Sequence, residues 1–195
     1  GEIDKAARNL GWLHDDSTPY RSETNGVAER LVRRVKEGTS ATLVQSGFDE
    51  MWWDLAMVCY CFLRNIVDKV NSAKSAEPRT PYHLRFGEEF RGPVIPFGAE
   101  VTYKPSSPGD IAKLHKFGSK VLSGVFLGYD QRAGGGWTGD LIVADWENLE
   151  SADSAYDVYE RRVKAEEVFV EKPSGDFVFP LADGSLRQPG IREGE

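Results

Sequence analysis

The sequence predicts an α+β chain in which helices come first and short strands follow. Between Val27 and Val70 apolar residues recur at spacings of three and four, the period of an amphipathic helix. From Phe97 onward they come instead in short β-branched and aromatic runs, each closed by Gly, Pro, Asp or Ser. A polar stretch from Asn71 to Pro81 separates the two regimes and ends in Pro78-Arg79-Thr80-Pro81, punctuation that neither a helix interior nor a central strand tolerates.

The first 20 residues, through Leu10, Trp12 and Leu13 to Pro19-Tyr20, read as the tail of an α/β unit that ends in the polar loop Arg21-Ser22-Glu23-Thr24-Asn25-Gly26. A helix starts there, because Thr24 or Asn25 supplies an N-cap oxygen, and Gly38 is the one poor helix former that matters before Gln45. Val27, Ala28, Leu31, Val32 and Val35 share an arc expected to pack, opposite a stripe of Glu29, Arg33 and Lys36. Gly47 ends this helix. A second, from about Phe48 to Val70, places Trp52, Leu55, Ala56, Cys59, Phe62, Leu63 and Ile66 on one face. Trp52 is assigned to the core, and the adjacent Trp53, facing another way, to an interface. A short helical turn is expected at Tyr82 to Phe86.

Strands are expected at Glu100 to Tyr103, Lys120 to Leu122 running into Val125 to Tyr129, Leu141 to Ala144, Val168 to Val170 and Phe177 to Phe179. Such a set of short strands makes a small barrel or sandwich. Gly124 and Gly128, flanking Val125-Phe126-Leu127, serve close packing inside it. The domain boundary is placed at residues 90 to 97, and the last dozen residues, rich in Gly and charge, are expected to be loose.

Composition narrows the functional classes. The 195 residues carry a formal net charge of -7, and residues 140 to 176, with eleven Asp+Glu against four Lys+Arg, account for all of it. A uniformly basic, histone-like binder is excluded, but a nucleic-acid partner held by a local basic patch is not. No apolar run approaches the roughly 20 residues of a membrane span, so no membrane partner is expected. The two cysteines, Cys59 and Cys61, point in different directions on one helix, which excludes a disulfide framework and fits an intracellular, reducing setting. Residue 1 is Gly and no leader pattern follows, so the sequence reads as a piece of something longer.

Two motifs fail their context tests. Gly134, Gly136 and Gly139 spell a dinucleotide-binding fingerprint, but a strand follows where a helix is required, so the segment is a hairpin loop. His14, His83 and His115 have no partners at zinc-ligand spacing, so no structural zinc is expected.

One segment carries more. Ser17-Thr18-Pro19-Tyr20 leads into Asn25-Gly26-Val27-Ala28-Glu29-Arg30, followed by Trp52-Trp53, Thr80-Pro81-Tyr82, Phe86-Gly87, Phe97-Gly98 and Gly124-Val125-Phe126-Leu127-Gly128-Tyr129. This succession resembles the integrases encoded in the Pol polyproteins of copia-type LTR retrotransposons over most of residues 10 to 150. The resemblance implies the C-terminal helices of a ribonuclease-H-like catalytic core over residues 1 to 72, a linker with a short helix over 73 to 96, an SH3-like β domain over 97 to 181, and a loose tail over 182 to 195. It implies an activity, DNA integration by metal-dependent polynucleotidyl transfer, in which two Asp and one Glu hold two Mg²⁺ or Mn²⁺ ions that bind the attacking and leaving oxygens.

By position Glu29 is the catalytic, metal-binding glutamate. Asn25, Arg30, Arg33 and Lys36 are then DNA contacts beside it, and the run Lys113 to Lys120 puts Lys116 and Lys120 against phosphates ahead of a strand. The implied partners are DNA, the upstream half of the core and further integrase subunits, in a nuclear or cytoplasmic particle. Two departures bear on this. Ser22-Glu23-Thr24 replaces the family's usual Pro-Gln-Gln loop, and both catalytic aspartates are expected upstream of Gly1, since only 28 residues precede Glu29. The chain alone is thus expected to bind rather than catalyse. The alternative is a decayed or repurposed non-enzymatic module that binds DNA or, through its acidic stretch, a basic protein partner.

Overall fold

The fold is given by a computed structural model that describes residues 5, 9, 26–72, 75–170, 172 and 175–190. Contacts divide the chain into two units, residues 1–34 and 35–195. Among the described residues of the first unit lies the start of helix α1 (Gly26–Ser46). Its arc of Val27, Leu31 and Val32 was expected to pack, but these side chains are 66%, 56% and 54% exposed.

The second unit begins with the remainder of α1. Gly38, unexplained by helix propensity, leaves room for a neighbour: a Cβ there would stand 1.9 Å from the Tyr60 ring. The hydroxyls of Thr39 and Thr42 donate to the carbonyls four residues back, at 2.8 and 2.9 Å, so the polar side chains along this half are satisfied within the helix. Gly47 stops α1 in the left-handed conformation, φ 77°, with its N–H donating to the Leu43 carbonyl at 2.9 Å. Asp49 then caps a 3-10 turn, Glu50–Trp52, that leads into α2 (Trp53–Val67).

The segment expected as a linker is structured. It holds a hairpin of β1 (Val70–Ser72) and β2 (Ser75–Arg79), then α3 (Pro81–Phe86). Thr80 caps α3 by accepting from the His83 N–H at 3.1 Å, and Pro81 stands at its first position.

The remaining elements form one antiparallel sheet with two short helices. They are β3 (Glu100–Tyr103), α4 (Pro108–Ala112), β4 (Leu122–Gln131), β5 (Trp137–Asp145), α5 (Trp146–Ser151), β6 (Glu160–Lys164) and β7 (Val168–Phe169). The strand order is β6-β5-β4-β3-β7, so the first strand of the sheet pairs with both its second and its last. A 3-10 turn, Ala165–Glu167, swings the chain from β6 across to β7. Register shifts in β4 near Gly128 and Gln131 bend the long strand, and the sheet curls. The sequence expected no strand at 160–164, and it expected one at Phe177 to Phe179 that does not form. That segment meets the sheet through one hydrogen bond, from the Glu100 N–H to the Val178 carbonyl at 2.8 Å, and the Phe179 carbonyl accepts instead from the Ala182 and Asp183 N–H groups of the following turn, both at 3.0 Å.

The molecule is therefore α+β, as its two periodicities foretold. Residues Gly124 to Tyr129 of β4 are all buried, because α2 lies over the strand and the curled sheet covers its other side. Phe62 of α2 stacks on Tyr129 with ring centroids 4.4 Å apart, and Ala56 and Cys59 are buried on the same face. Phe48, Trp52 and Phe97 close one end, with Phe48 centroids 4.8 and 5.1 Å from its two neighbours. Each such side chain contributes about 1.5–3 kcal/mol by leaving water. One core thus draws on residues from Phe48 to Leu186, on both sides of residues 90 to 97.

The tail beyond 181, expected to be loose, is described as far as 190, and it touches the core at two points. Leu186 is buried, and the Gln188 side chain donates to the Gly47 carbonyl.

Candidate nucleic-acid interface

Glu29, Arg30, Arg33 and Lys36 all lie on α1 and all are exposed. Glu29 stands in the first helical turn, where the helix dipole favours a carboxylate. Arg33 and Lys36 follow it at helical spacings of four and seven. Asn25 lies outside the described residues.

That stripe does not amount to a metal centre. A hard divalent ion takes about six oxygen ligands, and Glu29 offers one carboxylate. Among the described residues no group of three or more His, Cys, Asp or Glu side chains is placed to hold a metal ion. The described residues alone therefore do not fit a two-metal site.

The second basic element is the loop between α4 and β4. Its three lysines divide sharply. Lys113 turns inward, with its ammonium 3.2 Å from Asp145, 3.1 Å from Glu147 and 3.8 Å from Asp110. These bonds outweigh the burial that would lower its pKa, and the net direction is upward. Lys113 is thus neutralised locally and lost to phosphate. Lys120 donates to the carbonyls of His115 and Lys116, at 3.0 and 2.9 Å, closing the loop into a tight turn. Lys116 stays outside with its ammonium 5.5 Å from the centroid of the Phe117 ring. Phe117 itself is 85% exposed.

Behind the loop lies a polar network that the sequence did not reveal. Asp110 accepts two bonds from the Arg161 guanidinium, both at 2.9 Å, and a third at 2.8 Å from the hydroxyl of Ser107, which caps α4 by accepting the Asp110 N–H at 3.1 Å. The Arg161 fork, ahead of the burial that opposes it, holds the Asp110 carboxyl down to about 2. Tyr103 donates its hydroxyl to Asp145 at 2.7 Å, and burial followed by that carboxylate pushes the phenol far up. Asp145 also caps α5 through the Asn148 N–H at 3.2 Å. Three strands and both short helices are pinned at this point, which fixes the base of the lysine loop. A recess of about 360 Å³ opens beside it, lined by Val121, Leu122, Ser123, Asp145, Trp146 and Glu147. Its two carboxylates, Asp145 and Glu147, make it unfavourable for phosphate.

No family model, no curated protein and no solved structure matches this chain.

The geometry therefore stands on its own. It offers two exposed basic elements: the Arg30, Arg33 and Lys36 stripe along α1 and the Lys116, Phe117, Lys120 tip. The Gly134 to Gly139 segment is the turn and first residues of the β4–β5 hairpin, as its context demanded. Gly124 permits close packing, since a Cβ there would stand 2.7 Å from the Ala144 carbonyl oxygen. Cys59 is buried and Cys61 half-buried, both as free thiols, and burial pushes the Cys59 thiol far up, away from nucleophilic chemistry.

Proposed function

We propose that this chain is the C-terminal part of a copia-type retrotransposon integrase, comprising the last helices of a ribonuclease-H-like core and an SH3-like domain, and that it works by binding DNA. The observation that carries the reading is the order of two features along one chain. An Asn-Gly-Val-Ala-Glu-Arg segment opens a helix at Gly26, and a five-stranded curled sheet follows in which first and last strands pair across a 3-10 turn. That strand order is the one an SH3-like barrel uses.

In this reading Glu29 supplies one of three metal-binding carboxylates, and the two aspartates and the Mg²⁺ or Mn²⁺ ions belong to the intact core. Arg30, Arg33 and Lys36 lie along the DNA end, with Asn25 in the loop before them. Lys116 and Lys120 belong to the second domain's contact.

The test is strand transfer by a chain extended upstream to include the rest of the core. Glu29→Gln is expected to abolish it while circular dichroism stays unchanged, and full activity in that variant overturns the assignment. For the 195-residue chain itself, DNA affinity should fall with salt at a log-log slope of about -0.9 per phosphate contacted.

One observation favours a second reading, a non-enzymatic module for a basic protein partner. The acidic segment presents Glu147 at 76% side-chain exposure and Tyr156 and Tyr159 at 82% and 69%. Exposed carboxylates and exposed aromatic rings in one segment are groups that lysine and arginine side chains bind. Negligible DNA affinity at every salt concentration is the result that selects it.

A further inference from the structure

We propose that the Phe117 loop is a stacking platform for an unpaired nucleic-acid base, so that the domain's ligand is single-stranded or frayed DNA rather than intact duplex. The inference rests on the DNA-binding reading above and narrows its substrate.

Phe117 is the most exposed of the chain's large apolar side chains that the structure describes, at 85%, and it belongs to no core cluster. It is not carried on a slack segment. Lys120 bonds two loop carbonyls, the Gly118 N–H donates to the His115 carbonyl at 3.2 Å, and the Phe117 N–H donates to His115 Nδ1 at 3.3 Å. Lys113, locked into Asp145 and Glu147, anchors the base of the turn. An exposed ring on an organised turn loses little conformational entropy when a partner covers it.

The surroundings select the partner. The Lys116 ammonium lies 5.5 Å from the ring centroid and the His115 imidazole 6.3 Å, so one flat apolar face is bordered by cationic and polar groups. A base stacked on the ring places its own phosphate within reach of Lys116. This is the pairing of aromatic face and cation by which single strands are held without sequence readout. Intact duplex offers no free base face, whereas a single strand or a melted end does. A membrane-inserting tip needs several apolar residues side by side, and this one has a single ring.

The experiment is fluorescence anisotropy at low salt, with the full 195-residue chain titrated onto a labelled mixed-sequence single strand and onto its blunt duplex. The single strand is expected to bind more tightly. Phe117→Ala should weaken single-strand binding by about 5- to 150-fold, the range for loss of one stacked base, and leave duplex binding nearly unchanged. Phe117→Trp should bind the single strand at least as well as the parent, and Phe117→Leu should lose affinity as Phe117→Ala does. Equal binding by Phe117→Ala and the parent overturns the platform while the DNA-binding reading stands. Parent-like binding by Phe117→Leu also overturns it, because it shows an apolar contact without stacking. If the parent chain binds neither probe, both readings fall together.

Discussion

Helices α1 and α2 look alike in sequence and differ in what the fold does with them. Both carry apolar residues at spacings of three and four. On α2 that face is closed, with Ala56, Cys59, Phe62 and Ile66 between 0% and 8% exposed. On the first turns of α1 it is open, with Val27, Leu31 and Val32 all above half exposure. The second half of α1 is covered by another device, a glycine that admits the Tyr60 ring and hydroxyls that bond their own helix. Periodicity thus states which residues share a face, but not whether anything lies against it.

Substitutions can break this contrast or sharpen it. The largest effect belongs to Phe62→Ala, which removes a buried ring stacked on Tyr129 and should cost about 3–5 kcal/mol in urea unfolding. Next is Gly47→Ala, at about 2–4 kcal/mol. It places a side chain on a backbone with φ 77° and drives a Cβ to 2.3 Å from the Ala182 nitrogen. Asp110→Asn should cost about 2–3 kcal/mol at neutral pH, because the half-buried Arg161 loses its charged partner.

The same residue fixes a pH dependence. Its folded pKa of about 2 lies below the ordinary 3.8, so its contribution is complete above that ordinary value and is lost as pH falls through about 2. Acid unfolding of the parent should steepen in that window, and Asp110→Asn should flatten it. The smallest effect is expected for Leu31→Ala, within about 0.5 kcal/mol, since an exposed side chain leaves no cavity. A loss of 2 kcal/mol or more there would show that the open face of α1 is closed in solution.

What was legible in the sequence followed from local chemistry. The stop of α1 at Gly47, the capped turn at Thr80-Pro81 and the β4–β5 hairpin each depend on residues within a few positions of one another. Strand β6 was missed because Glu160-Arg161-Arg162-Val163-Lys164 is an edge strand with a single buried apolar side chain, so no alternation marks it. Phe177-Val178-Phe179 imitates a strand by composition, yet it contributes its carbonyl to the start of β3 and then turns away.

Of the candidate site, the identities of Lys116 and Lys120 were readable and the fate of Lys113 was not. Its partner Asp145 lies 32 positions away, and the Asp110–Arg161 fork that steadies the same loop spans 51. Pairings at such distances exist only once the sheet has curled.

The strap formed by residues 177–190 has a consequence for how the molecule is made. Gln188 reaches the Gly47 carbonyl across 141 positions, Leu186 enters the shared core, and the Gly190 N–H closes on the Ala152 carbonyl at 2.9 Å. On the ribosome, α1, α2 and most of the sheet emerge well before these contacts are possible, and long-range closure of this kind is slow. Until then the nascent chain carries an unsealed seam at the α1–α2 junction, so chaperone occupancy during synthesis should persist until residues 177–190 have cleared the exit tunnel.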